Sequence, residues 1–193
     1  MRRLICIPVM ILGLAVSAFA DEQKIETAPA FVADQLEGEK GPYLIGPITR
    51  ESWLEFDPGL KDVADSYAPS PDLVKALSYY PDDIEITCVL GTWCSDSHRE
   101  VPRFWTLLDR ADMPGTTFTM LAVGRTDAPE ALVWEADRGV VPGYRDLFDI
   151  ELVPTFVVSK GGHEIGRIVE TPEISLEADL AAILGLRAEP AWH

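Results

Sequence analysis

Short apolar runs separated by polar turns predict a regular order of strands and helices along the chain. Every second residue of Ile84–Leu90 is apolar, which is typical of a strand with one strongly buried face. Apolar residues recur at helical spacing after Cys94 and predict a helix that continues to about Arg110. We expect Pro102 to kink this helix, because an internal proline removes a backbone hydrogen bond.

The same patterns predict the remaining elements. Strands are expected at 117–123, 153–158 and 164–170, and helices at 71–79, 129–136, 144–148 and 175–184. Gly161-Gly162 joins the last two strands in a tight hairpin. The order strand, helix, strand, helix, strand, strand, helix predicts a mixed sheet with helices on both faces.

Residues 21–70 lack such periodicity and are interpreted as an N-terminal extension that wraps around or leads into the domain. Gly41-Pro42 and Gly46-Pro47 indicate breaks in regular structure, with short helical turns expected at 50–54 and 60–67. Ser70-Pro71 then predicts the start of the first long helix, with serine at the N-cap and proline at the first helical position.

The first twenty residues have the features of a secretory signal. Arg2 and Arg3 precede an apolar stretch at 4–16, and small residues lead to Ala20 just before a polar segment. The apolar stretch is shorter than the roughly 20 residues of a membrane-spanning helix. We therefore expect residues 1–20 to be a signal peptide, cleaved after Ala20, and the protein to be periplasmic or secreted.

Composition limits the function classes. The chain has 193 residues, 47% of them hydrophobic, and a formal net charge of −16, which suits one compact domain with additional segments. Such an acidic chain disfavours nucleic acid and anionic lipid as partners. Residues 188–193 are expected to be a frayed tail.

Cys94 is the candidate nucleophile. It lies where a strand gives way to a helix, and the free N–H groups and the positive dipole end of a helix favour a thiolate there. Trp93 precedes it and is expected to pack beside the site. Three residues on, Ser97 occupies the position at which a dithiol enzyme has its second cysteine.

Three landmarks in order, Trp93-Cys94, Pro102 and Val153-Pro154-Thr155, resemble the thioredoxin superfamily and in particular its exported thioredoxin-like branch. The resemblance implies a thioredoxin-like domain at 71–187, with a mixed central sheet flanked by helices. It also implies a cis Pro154 against the active-site sulfur, and a Val153 backbone that pairs with an extended substrate.

The chain departs from the thioredoxin pattern at two positions. Ser97 replaces the resolving cysteine, and Cys88 stands where thioredoxins keep a buried acid. Without an internal second thiolate, a mixed disulfide at Cys94 is expected to be long-lived and to be resolved by an external thiol.

The roles of the neighbouring polar residues are left open by the sequence. Asp96 either opposes a thiolate or acts as a first-turn acid that favours the helix. His98, one turn after Cys94, either stabilises the thiolate when protonated or is a partly exposed helix residue. Ser97 either donates a hydrogen bond to the Cys94 thiolate or satisfies the helix terminus.

Cys88 is interpreted as a small core residue, with a back-up resolving thiol as the minority alternative. A disulfide between Cys88 and Cys94 is not expected, because most of the six-residue interval is extended.

The sequence thus predicts a thiol–disulfide oxidoreductase of reductase or isomerase type, acting on protein disulfides or a small thiol such as glutathione, without a cofactor. The alternative is a redox-inactive binding or chaperone-like module that holds partner peptides at Val153 and Pro154. A metal carrier is a distant third, because Cys94 and His98 supply only two ligands.

Overall fold

The computed structural model of the protein describes residues 33–125 and 143–186. Its strands are β1 (Asp34–Gly38), β2 (Gly41–Ile48), β3 (Ile84–Leu90), β4 (Thr116–Ala122), β5 (Thr155–Lys160) and β6 (His163–Val169). Its helices are α1 (Arg50–Phe56), α2 (Leu60–Ser66), α3 (Pro71–Ser78), α4 (Ser95–Ala111), α5 (Tyr144–Leu147) and α6 (Leu176–Ile183). The predicted signal peptide, the helix expected at 129–136 and the tail lie outside the described residues.

The strands form one six-stranded sheet in the order β1-β2-β4-β3-β5-β6. Strands β3 and β4 are parallel, with α4 as their crossover, and the other neighbours are antiparallel. Four neighbouring strands lie in the order β4-β3-β5-β6. They are connected along the chain as β3-α4-β4 and then β5-β6-α6. This topology is a thioredoxin-like fold. The expected fold class, a mixed sheet flanked by helices, is confirmed.

The expectation of irregular structure before residue 50 is wrong for residues 34–48, which form the β1–β2 hairpin. Gly41 lies at the hairpin turn and Gly46 within β2, both at φ 104°, a conformation that glycine adopts without steric cost. Before Gly46, β2 pairs with β1, and from Gly46 onward it pairs with β4. The glycines therefore mark the turn of a hairpin and a change of partner within β2. The helical turns expected after residue 50 are confirmed as α1 and α2.

The two faces of the sheet carry separate apolar clusters. Alternate residues of β3, among them Ile86 and Cys88, pack with α1 to α4 and α6 in a larger cluster that contains Trp53, Phe104 and Phe156. The opposite face carries a smaller cluster of Val89, Leu121, Val123, Ile150, Val153 and Val157. Burying both faces explains why β3 ends in the continuous apolar run Cys88 to Leu90.

A buried carboxylate connects α6 to the start of α3. Ser70 is the N-cap residue of α3, as expected, but its side chain makes no capping hydrogen bond. Its backbone N–H instead donates to Glu177 Oε1 at 2.9 Å, and the Tyr67 hydroxyl donates to Oε2. Burial raises the pKa of Glu177, but these hydrogen bonds outweigh burial and hold that pKa below its usual value.

Candidate active site

Cys94 lies at the junction between β3 and α4. It is the N-cap residue of α4, with extended φ and ψ of −99° and 126°. Its N–H donates to the Gly91 carbonyl at 2.9 Å, and its own carbonyl accepts from the His98 N–H at 3.1 Å. A four-residue loop, 91–94, thus places a half-buried thiol at the first turn of the helix.

The Cys94 sulfur faces the loop before β5. The Sγ lies 3.2 Å from the carbonyl oxygen of Val153, so the thiol donates a hydrogen bond to it. The Val153–Pro154 peptide bond is cis, as the family resemblance implied. The sulfur accepts no capping hydrogen bond from the first turn of α4. Two segments 59 residues apart in sequence therefore meet at the thiol.

Ser97 does not take either of the roles expected of it. Its hydroxyl accepts a hydrogen bond from the Gly91 N–H at 3.2 Å, and its side chain is 0% exposed. Ser97 thus fastens the first turn of α4 to the end of β3, because the Gly91 amide is a buried donor that needs a partner.

His98 has a polar contact at each ring nitrogen, and neither contact involves Cys94. Nε2 lies 2.6 Å from the Thr92 carbonyl oxygen, and Nδ1 lies 3.3 Å from Asp57 Oδ2 at the end of α1. The ring also packs edge-on against Trp53, with 5.6 Å between centroids. His98 therefore connects the Cys94 loop, α4 and α1. Asp96 lies in the first turn of α4 and pairs with Arg99 at 2.7 Å, which fits its reading as a helix-favouring acid.

Cys88 and Cys94 are both free thiols that face opposite sides of the sheet. Cys88 is 0% exposed in the larger cluster, whereas Cys94 packs against the smaller one. Burial raises the pKa of Cys88 well above its usual value, so this thiol stays protonated. The arrangement fits the reading of Cys88 as a core residue.

Trp93 is fixed beside the site from several directions. Its Nε1 donates to the Val123 carbonyl at 2.9 Å, and its ring packs against Tyr43 and Ile45 of the hairpin. The ring also lies so close to Gly91 that a Cβ there would be 2.7 Å from it. A side chain larger than glycine at position 91 would therefore displace the indole.

A groove of about 480 Å³ opens beside Cys94. One wall is the hairpin turn, with Lys40 and Pro42, and the others include Asp57, Trp93 and Arg125. The Arg125 guanidinium lies over the Trp93 ring, 4.7 Å from its centroid. The Leu44 N–H holds the hairpin in place by donating to Thr92 Oγ1 at 2.8 Å.

Sequence reasoning missed Lys40, Pro42, Asp57 and Arg125. These residues are 31 to 54 positions from Cys94 and belong to no motif. The available signal was the Gly-Pro pair at 41–42, which indicates a turn but not the element that the turn joins. The segment after Val123 contributes Arg125 to the groove, and residues 126–142 lie outside the described part.

Within residues 33–125 and 143–186, no three His, Cys, Asp or Glu side chains cluster in a way that could hold a metal ion. In the same ranges no helix is long and apolar enough to span a membrane.

The chain has structural similarity to several solved proteins. A Pseudomonas aeruginosa protein of unknown function gives a TM-score of 0.42 at 16% identity, covering 66% of this chain and 71% of that one. An HIV epitope-scaffold protein gives 0.42 at 17% identity, covering 66% and 72%. Thioredoxin from Aeropyrum pernix gives 0.34 at 21% identity, covering 59% and 82%. No protein-family model and no curated protein matches the chain. Similarity at this level assigns no activity.

Proposed function

We propose that the protein is an exported thiol–disulfide oxidoreductase of reductase or isomerase type that acts through Cys94 alone. The observation that carries the proposal is the position of the Cys94 thiol. It is half-buried at the first turn of a helix, next to an open groove and 3.2 Å from the carbonyl of the cis-proline loop. A thiol in such a place is both accessible and close to a backbone that can bind an extended chain.

The proposed reaction is disulfide exchange in three steps. The Cys94 thiolate attacks one sulfur of a client disulfide, forms a Cys94–client disulfide and expels the client's second sulfur as a thiolate. An external thiolate then attacks the Cys94 sulfur and releases the reduced client. A second external thiolate regenerates Cys94, so the client gains the two electrons that two external thiols lose as their disulfide.

Ser97 supports the need for an external thiol. It replaces the sulfur that would attack from within, and its buried hydroxyl is engaged with the Gly91 amide. Cys88 lies on the other face of the sheet, so it is not placed to substitute for that sulfur.

Acid trapping and intact-mass analysis of the mature protein after incubation with a small disulfide test the proposal. We expect one mixed disulfide on the wild-type chain, none on Cys94→Ser and an unchanged adduct on Cys88→Ala. The rate of Cys94 alkylation as a function of pH reports the thiolate directly. Absence of any adduct, together with alkylation no faster than that of a free cysteine, would contradict the proposal.

A second candidate is a redox-inactive module that binds extended peptides at Val153 and Pro154. It is favoured by the hydrogen bond that the Cys94 thiol donates to Val153 O at 3.2 Å, because this contact joins Cys94 to the cis-proline loop without any redox step. Cys94→Ser separates the candidates, since peptide binding would survive the substitution whereas disulfide exchange would be lost.

A further inference from the structure

The Cys94 groove is lined by two positively charged side chains, although the chain as a whole is strongly acidic. The formal net charge is −16, with 32 acidic and 16 basic residues. Many basic side chains in the described residues lie against carboxylates, namely Arg50, Lys61, Arg99, Arg103, Lys160 and Arg167. Lys40 and Arg125 have no carboxylate partner within the described residues, and both line the groove.

The two cations come from separate parts of the fold. Lys40 lies at the exposed turn between β1 and β2, and Arg125 follows β4. The hairpin turn is held at the groove by the hydrogen bond from Leu44 N–H to Thr92, two residues before Cys94. The fold therefore brings both positive charges to the mouth of the groove.

Arg125 is oriented as well as charged. Its guanidinium lies over the Trp93 ring, whose Nε1 is fixed on Val123 O. A guanidinium placed over the face of an indole can still bind a carboxylate with its N–H groups through two parallel hydrogen bonds. Lys40, on a flexible stem, can meet a second carboxylate as a point charge.

Among the described residues that line the groove, the one acidic side chain is already engaged. Asp57 lies 3.3 Å from His98 Nδ1, so its carboxylate is turned toward the imidazole. Among the described residues that line the groove, Lys40 and Arg125 are the charged side chains without an oppositely charged partner. An anionic ligand would be repelled by most of the acidic surface and attracted at this groove.

From these observations we propose that Lys40 and Arg125 select a small thiol that carries carboxylates, so that the external thiol of the Cys94 cycle is acidic. The inference rests on the exchange chemistry proposed above and names its substrate class. A groove of about 480 Å³ lies within the size range of sites for small ligands. The carboxylates would contact Lys40 and Arg125 while the ligand sulfur faces Cys94.

The local charge can be measured with two methanethiosulfonate reagents, one bearing a sulfonate and one a trimethylammonium group. In each reaction the Cys94 thiolate attacks the thiosulfonate sulfur, forms a disulfide and releases methanesulfinate. Both reagents require the same thiolate, so the ratio of their rates reports charge and not thiol protonation.

We expect the wild-type protein to favour the anionic reagent at low salt. A unit charge about 7 Å away in water changes the rate of a singly charged reagent by about threefold. Lys40→Gln and Arg125→Gln should therefore each lower the rate ratio by about fivefold to tenfold, and salt should weaken the preference. Lys75→Gln, a change at an exposed lysine of α3, and Arg125→Lys should leave the ratio near the wild-type value. An unchanged ratio in both Gln variants would overturn the inference.

A second experiment uses the ligand chemistry itself. Adduct formation at Cys94 is compared for oxidised glutathione and for the same disulfide with its carboxylates esterified. We expect faster reaction with the free acid, and loss of that preference in the Lys40→Gln/Arg125→Gln double variant. Equal rates for both disulfides would overturn the proposed selection of acidic thiols but would not contradict the exchange reaction. If neither disulfide forms an adduct, the result contradicts the proposed exchange reaction and, with it, the proposed selection of acidic thiols.

Discussion

At the scale of single residues, Cys88 and Cys94 differ because they face different environments. Cys88 is enclosed by the larger apolar cluster, where burial raises its pKa, whereas Cys94 is half-buried beside a groove. The sequence places them six residues apart. Because successive residues of a strand face opposite sides of the sheet, the Cys88 side chain lies in the larger cluster. The loop after β3 then places Cys94 against the opposite face.

Native alkylation of a chain that lacks residues 1–20 should therefore modify one of these two thiols. We expect a single iodoacetamide adduct on the folded chain and a second after unfolding in concentrated guanidinium, counted by intact mass. Cys88→Ala should show the single adduct in both conditions, with a loss of about 1 kcal/mol in the free energy of unfolding. A second adduct on the folded protein at a comparable rate would contradict the burial of Cys88.

At the scale of elements, the Glu177 carboxylate joins α6 to the segment between α2 and α3. Its folded-state pKa lies below the usual value, so the folded protein binds its proton less tightly than the unfolded chain does. The stabilisation is complete above the usual glutamate pKa of about 4.3, and it is lost as the pH falls through the lower folded-state pKa.

Glu177→Gln should reduce the free energy of unfolding at pH 7 by about 1–3 kcal/mol, because the Tyr67 hydroxyl and the Ser70 N–H lose a charged acceptor. Urea denaturation at a series of pH values should show the difference from wild type shrinking below about pH 4. The same change at the exposed Glu173 is the matched control. A difference that is constant with pH would show that the carboxylate charge is not responsible.

The elements also show how far the sequence could predict this protein. Periodicity located β3, α4 and β5, because each buries a continuous apolar face, and Gly161-Gly162 located the hairpin to β6. The hairpin was missed because Gly41 and Gly46 look like breaks in isolation, and only pairing with β1 at Gly41 and with β4 at Gly46 makes them part of a strand. The role of Ser97 was left open because sequence spacing does not reveal that the buried Gly91 amide takes its hydroxyl oxygen as acceptor.

At the scale of the whole molecule, residues interpreted as an extension belong to the sheet and to the site. The hairpin adds two strands at the β4 edge, and its turn forms one wall of the groove. The site residues that the sequence predicted, Cys94 with Trp93 and the Val153–Pro154 loop, do meet. The other wall could not be predicted, since it depends on which strand edge the hairpin joins.

Thr92→Val tests this coupling between hairpin and site. The substitution keeps the shape of the side chain but removes the acceptor of the buried Leu44 N–H, which should cost about 1–3 kcal/mol. Hydrogen exchange should accelerate at the amides of β1 and β2 and change little in β3 and β5. Thr87→Val, a half-buried position of β3, is the control. If both variants behave alike, the Thr92 hydroxyl does not secure the hairpin.

The buried serine three residues after Cys94 has a kinetic consequence. An internal thiol would end every covalent adduct at a rate set by the protein itself. With Ser97 in that place, the lifetime of an adduct in the proposed cycle varies inversely with the concentration of thiol outside, so doubling that concentration halves the lifetime. The fraction of protein held as adduct then reports the thiol content of its surroundings.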